Sequence, residues 1–143
     1  MTTAMTKAER ETFLAELHVG VLSVTCPGRG PLTVPIWYHY SPGGAVRLVT
    51  GGSSRKAALL RQAGRATLCA QTENPPYKYV TVEGPVHIEH TDVSGEVRGL
   101  AVRYLGEQLA DWYMQTSAAE LPGSVLIILT PEHWATVDYA KMM

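Results

Sequence analysis

Alternating apolar and polar positions divide the chain into short segments. Over residues 19–26, Val19, Val21, Ser23 and Thr25 fall on one face and Gly20, Leu22, Val24 and Cys26 on the other, the period of two that a strand imposes on its side chains. A turn at Pro27-Gly28-Arg29-Gly30-Pro31 leads into LTVPIWYHY (32–40), and Ser41-Pro42-Gly43-Gly44 leads into AVRLVTG (45–51). This pattern predicts three antiparallel strands in succession, joined by short turns. Pro35 has no N–H to give to a ladder and marks an edge or a bulge in the second of them. Ahead of the strands, Thr6-Lys7-Ala8-Glu9 fits a capping box, with Phe13, Leu14 and Leu17 following at helical spacing.

Downstream, a helical stretch over 57–62 is expected to stop at Gly64, and ATLCAQT (66–72) reads as a further strand. YKYVTVEGPVHIEH (77–90) is a long alternating strand with a kink or bulge at Gly84-Pro85. Thr91 and Asp92 can cap a helix over 93–103, and Gly106 separates it from a second amphipathic helix around 107–117. SVLIILT (124–130) has the composition of a buried strand, and 134–139 forms a short last one. The fold class is therefore mainly β, a small closed antiparallel β-barrel with flanking helices, because six or seven strands with few helices would otherwise leave sheet edges exposed.

Composition narrows the function classes. A chain of 143 residues matches one domain, 1–143, without repeat or linker, and it is long enough to bury a core without metal or disulfide staples. Twelve basic against thirteen acidic residues give a net charge of −1, which lacks the electrostatic footprint of a nucleic-acid binder. The longest aliphatic run, 125–129, is far short of the roughly 20 residues that cross a bilayer. MTTAMTKAERE carries no apolar targeting segment, and Cys26 and Cys69 form neither a disulfide framework nor a metal knuckle. A cytoplasmic protein with reduced thiols and no membrane partner is expected.

Thr50-Gly51-Gly52-Ser53-Ser54-Arg55-Lys56 is the strongest local signal for chemistry. A strand end feeds a helix N-terminus there, and free amides, the helix dipole, serine hydroxyls and two cations suit a phosphate. An ordinary capped helix with solvated cations would read the same way. Pro75-Pro76-Tyr77-Lys78-Tyr79 places aromatic rings and a cation at a sheet surface, either cross-strand packing or a ligand face. Trp37, Tyr38 and His39 pose the same choice. His87 and His90 lie three apart on a strand and point to opposite faces, so no metal site is expected.

Taken together, the VGVLSV…GRGPLTVPIWYHY hairpin, the TGGSSRKAALLRQAGRATLCAQ block and the PPYKYVTVEGPV strand resemble the pyridoxamine 5′-phosphate oxidase-like family of six-stranded, FMN-binding split β-barrels. More narrowly, they resemble its actinobacterial branch of flavin- and deazaflavin-dependent oxidoreductases, over residues 7–139. That resemblance implies a homodimer with two cofactor clefts at the subunit interface. It implies phosphate binding by Thr50, Ser53, Ser54, Arg55 and Lys56, and contact with the flavin ring along Val34, Pro35, Ile36 and Trp37. Tyr77, Lys78 and Tyr79 match the strand bordering the cleft or its dimer-related half, and Trp134 the strand that approaches the partner's cofactor. The chain lacks the Arg- and His-bearing C-terminal segment with which the namesake oxidases hold pyridoxal phosphate, which argues against vitamin B6 oxidation. Lys56 and Lys78 suit a long anionic tail, favouring the deazaflavin coenzyme F-420 over FMN. The implied activity is hydride transfer from the reduced deazaflavin to a small conjugated or quinone-like acceptor. An FMN-dependent oxidoreductase of the same fold, or a barrel that only binds flavin or haem, is the alternative. No catalytic residue is assigned, Tyr38, His39 and Tyr79 being the nearby proton-donor candidates.

Overall fold

A computed structural model describes residues 2–143. The helices are α1 (Lys7–Ala15), α2 (Arg55–Ala63), α3 (Ser94–Leu105) and α4 (Glu107–Thr116). The strands are β1 (Gly20–Val24), β2 (Leu32–Ile36), β3 (Val46–Gly51), β4 (Arg65–Gln71), β5 (Lys78–Glu89), β6 (Ser124–Leu129) and β7 (His133–Asp138). All pairings are antiparallel. The strand order is β2-β1-β4-β5-β6-β3, with β7 added alongside β5. A single bridge, His39 to Arg47, joins the two ends of that order, so the curled sheet nearly closes on itself. This is a mainly β split barrel with flanking helices.

The third predicted strand does not follow its neighbours. β3 pairs with β6 along its whole length and meets the β2 side of the sheet only at His39. The 32–40 segment stops being a strand after Ile36, because Tyr38 turns its ring fully into the barrel and its hydroxyl donates to the Leu14 carbonyl at 2.7 Å. Pro35 sits on the end strand of the sheet, opposite Val21, where a missing donor costs no ladder bond.

β5 changes partners at Gly84-Pro85. Residues up to Pro85 pair with β4, and Val86 to Glu89 pair with β6. A β-carbon at position 84 would lie 1.7 Å from the Thr130 carbonyl oxygen, so only glycine lets the strand turn that corner. One half of β5 thereby belongs to each side of the barrel.

The barrel interior is filled by Leu22, Val24, Leu48, Leu60, Leu68, Val80, Val82, Ile127 and Leu129, with Phe13 and Leu14 of α1 closing one end. β6 is apolar on both faces. Val125, Ile127 and Leu129 enter the barrel, while Leu126 and Ile128 pack with Val93 and Val97 beneath α3 and α4. The capping box at Thr6 and Glu9 is present, but Leu17 falls beyond α1 and is exposed. The residue preceding α3 is Val93 rather than a polar cap. Asp92 instead accepts the Ser94 amide at 2.9 Å.

Candidate functional site

The end of β2, the end of β3 and the α3–α4 pair enclose a cleft of about 620 Å³, inside the roughly 300–1,000 Å³ range of small-molecule sites. Pro35, Ile36, Trp37 and Val49 form one wall, and Val97, Leu100 and Leu121 close it from the helical side. Trp37 lies parallel to the Tyr104 ring, centroids 5.2 Å apart and planes 4° from parallel, and also touches Tyr113. The Tyr104 hydroxyl donates to the His18 carbonyl at 2.6 Å and accepts the Tyr38 amide at 3.1 Å. A helical residue thus ties down the backbone on which Ile36 and Trp37 stand.

At the other end, β3 delivers Thr50 and Gly51 to the cleft just before α2 begins. Ser54 caps α2 by accepting the Ala57 amide at 3.1 Å, while Arg55 and Lys56 supply first-turn amides for which a helix has no internal acceptor. The Gly52 amide donates to the Gly123 carbonyl at 2.7 Å, and a β-carbon there would sit 2.8 Å from that oxygen. Position 52 must therefore be small for the 121–124 turn to close over the segment. The Lys56 ammonium reaches back to the Thr50 hydroxyl at 3.4 Å. It is half-buried, no carboxylate among the described residues forms an ion pair with it, and burial pushes it below the ordinary lysine value. Such a cation is stabilised by an anion arriving from outside. Arg55 instead points at the Cys26 sulfur, 3.1 Å away.

Residues 6–138 match the family model described as pyridoxamine 5′-phosphate oxidase. The chain belongs to that family. No curated protein sequence matches it significantly. Among solved structures, this family member is similar to a conserved hypothetical protein from Mycobacterium tuberculosis, with a TM-score of 0.79 at 22% identity over 98% of this chain and 89% of that one. An F-420 reductase gives 0.74 at 20% identity over 87% and 94%. The FAD and heme binding protein from Mycobacterium smegmatis gives 0.70 at 14% over 94% and 72%. Identities this low show a shared fold. The family is one of flavin-binding split barrels, and no helix here is long and apolar enough to cross a membrane.

The residues singled out in the sequence divide into two groups on this family scaffold. Pro35, Ile36, Trp37 and Thr50 line one cleft; Ser53, Ser54, Arg55 and Lys56 stand at the start of α2 and do not line it, Ser54 and Lys56 reaching it only through the Thr50 hydroxyl. Val34, on the same strand face as Ile36, packs against the barrel core and does not reach the cleft. Tyr77, Lys78 and Tyr79 do not line the cleft. Lys78 lies 4.0 Å from Asp138, in a separate depression that includes Met5 and Glu9, and Tyr77 is exposed. Trp134 packs edge-on against Tyr40, beneath the Arg10 guanidinium. Tyr38 is removed as a proton donor, because its buried hydroxyl is committed to Leu14 and burial raises its pKa. His39 and Tyr79 do not line the cleft either.

Sequence reasoning missed the helical wall, Tyr113, Thr116, Ser117 and Glu120. The three-residue spacing of Tyr113 and Thr116 was a readable sign that they share a helix face, whereas Ser117 and Glu120 lie in the turn beyond the helix end. Nothing local, however, indicated that the face meets β2 and β3.

Proposed function

We propose that this protein is an oxidoreductase that uses the deazaflavin coenzyme F-420 in its reduced form and passes hydride to a small conjugated or quinone-like acceptor. The observation that carries the reading is Lys56, a half-buried cation without a carboxylate partner among the described residues, bonded to the Thr50 hydroxyl that lines a cleft of about 620 Å³ with an apolar strand wall. The residues present fit such a group. Lys56, the first amides of α2 and the hydroxyls of Thr50, Ser53 and Ser54 would hold its phosphate, with Arg55 adding charge. Pro35, Ile36 and Trp37, which line the cleft, would run along the ring, while Val34 backs them from the core side.

The cofactor supplies the reactive carbon and the hydride, and the chain supplies placement and a dry wall. Trp37, held by Tyr104 and Tyr113, keeps the apolar side of the cleft in one arrangement, which favours a productive approach of the two reactants. Tyr77, Lys78 and Tyr79 would meet the cofactor only across a homodimer interface, from a second copy of the chain. A cytoplasmic setting is proposed with this use.

FMN in the same cleft is the alternative, and a haem- or flavin-binding barrel without turnover is the other. Titration of the purified protein with oxidised and reduced deazaflavin, FMN and haem separates them. The expected result is a nearly colourless protein that binds added deazaflavin, and stoichiometric FMN retained through purification would reverse the preference. Tight binding of any of these ligands without reduction of quinone acceptors would identify a carrier.

A further inference from the structure

The wall that α4 gives to the cleft differs in kind from the strand wall. Tyr113 and Thr116 of α4 and Ser117 and Glu120 of the turn after it all line the cleft, the first two sharing one face of the helix. Polar groups nearby are already committed: Thr50 to Lys56, Tyr104 to His18, and the Ser124 hydroxyl to the Glu120 carbonyl. Among the described residues the hydroxyls of Tyr113, Thr116 and Ser117 and the carboxylate of Glu120 make no hydrogen bond or ion pair within the protein; Tyr113 and Ser117 are half-buried, and Thr116 and Glu120 stand at the solvent mouth of the cleft. Glu120 is also the one charged side chain lining the cleft among the described residues. A cleft that is apolar on one side and carries four uncommitted polar groups on the other is arranged to orient a flat ligand by its edge.

We infer that this wall is the recognition edge for the acceptor, and that it selects neutral or cationic conjugated carbonyl compounds against anionic ones. The inference rests on the reading of the cleft as the redox site. Tyr113, beside Trp37, donates a hydrogen bond to a carbonyl oxygen of a ring lying on the α4 side of the cleft, across from the strand wall. Glu120, at the far end of this wall, repels a carboxylate or sulfonate on that ring. The repulsion is strongest at low ionic strength, since salt screens charges beyond about 10 Å at 0.1 M.

The test compares 1,4-naphthoquinone with its 2-sulfonate, by quenching of tryptophan fluorescence, without added cofactor and at low salt. The wild-type protein should bind the neutral quinone about tenfold more tightly than the sulfonate, and the ratio should shrink as salt is added. Glu120→Gln should bring the ratio to within about threefold. Tyr113→Phe should weaken both probes by about five- to tenfold and leave the ratio unchanged. A ratio identical in wild type and Glu120→Gln overturns the charge selection, and failure of the wild type to bind either quinone overturns the subsite. Because the probes are read without cofactor, absence of deazaflavin binding in a parallel titration counts against the proposed function and leaves the subsite result standing.

Discussion

Lys56 shows how one residue acquires a role from its surroundings. On a solvated helix a lysine in the first turn opposes the helix dipole, but here its ammonium folds back over Thr50 and loses part of its water. Lys56→Ala removes a charge-assisted contact of about 1.5–3 kcal/mol with a bound phosphate, so affinity for the phosphorylated cofactor should fall ten- to a hundredfold in a titration. The fold should be unaffected. The sign of the pH dependence follows from the lowered pKa. The unfolded chain keeps this proton to higher pH than the native one, so the group adds stability as pH rises between the two values. Phosphate binding needs the cation, so affinity should decline on the alkaline side, starting below the ordinary lysine value of 10.5. A flat profile in wild type, or unchanged binding in the alanine variant, would place the phosphate elsewhere. The TGGSSRK pattern made this residue legible, whereas its burial depends on how α2 sits against β3.

Single elements carry constraints that no residue carries alone. β5 serves both halves of the barrel only because Gly84 admits the Thr130 carbonyl, and Gly84→Ala should destabilise by about 3 kcal/mol or more, the upper end of overpacking costs, as read by urea unfolding. A wild-type midpoint for that variant would contradict the corner. α1 is pinned to the C-terminal residues by Glu9, which Lys141 at 2.7 Å and the Thr6 amide hold down to about 2. A carboxyl lowered in the native state contributes stability that is complete above its ordinary value of 4.5 and is lost as pH falls toward 2. Glu9→Gln should therefore flatten the acid decline of the melting temperature over that window. The capping box and the Gly-Pro kink were readable because each is a local backbone requirement.

The whole molecule leaves apolar surface that the chain does not cover. The 19–24, 32–40 and 124–129 segments and the tryptophans carry much of the apolar area, but β6 buries both its faces, Trp37 is stacked on Tyr104, and Trp134 is packed on Tyr40. Among the described residues, those exposed include Leu17, Val19, Tyr77, Tyr79, Leu109, Trp112 and Tyr139, with Met142 and Met143 at the end of the chain. Pairing with a second copy is the commonest way to cover such surface. Sedimentation should show about twice the 15.6 kDa chain mass at micromolar concentration. If Tyr77 to Tyr79 reach the partner's cleft, cofactor should also tighten the dimer. A monomer binding cofactor at full affinity would refute both the pairing and the role of those residues.

By itself the sequence determined the element order, the faces of most strands, the helix stops and the glycine-rich anion segment, because each depends on residues close together along the chain. The tertiary structure decided the rest. β3 travels to β6 because hydrogen-bonded ladders are satisfied equally well by any antiparallel neighbour, and only the closure of the barrel chooses among them. The same closure brings Trp37, Thr50 and Tyr113 around one cleft. Their separation of up to 76 positions in the sequence (113 − 37) leaves no local trace of that meeting.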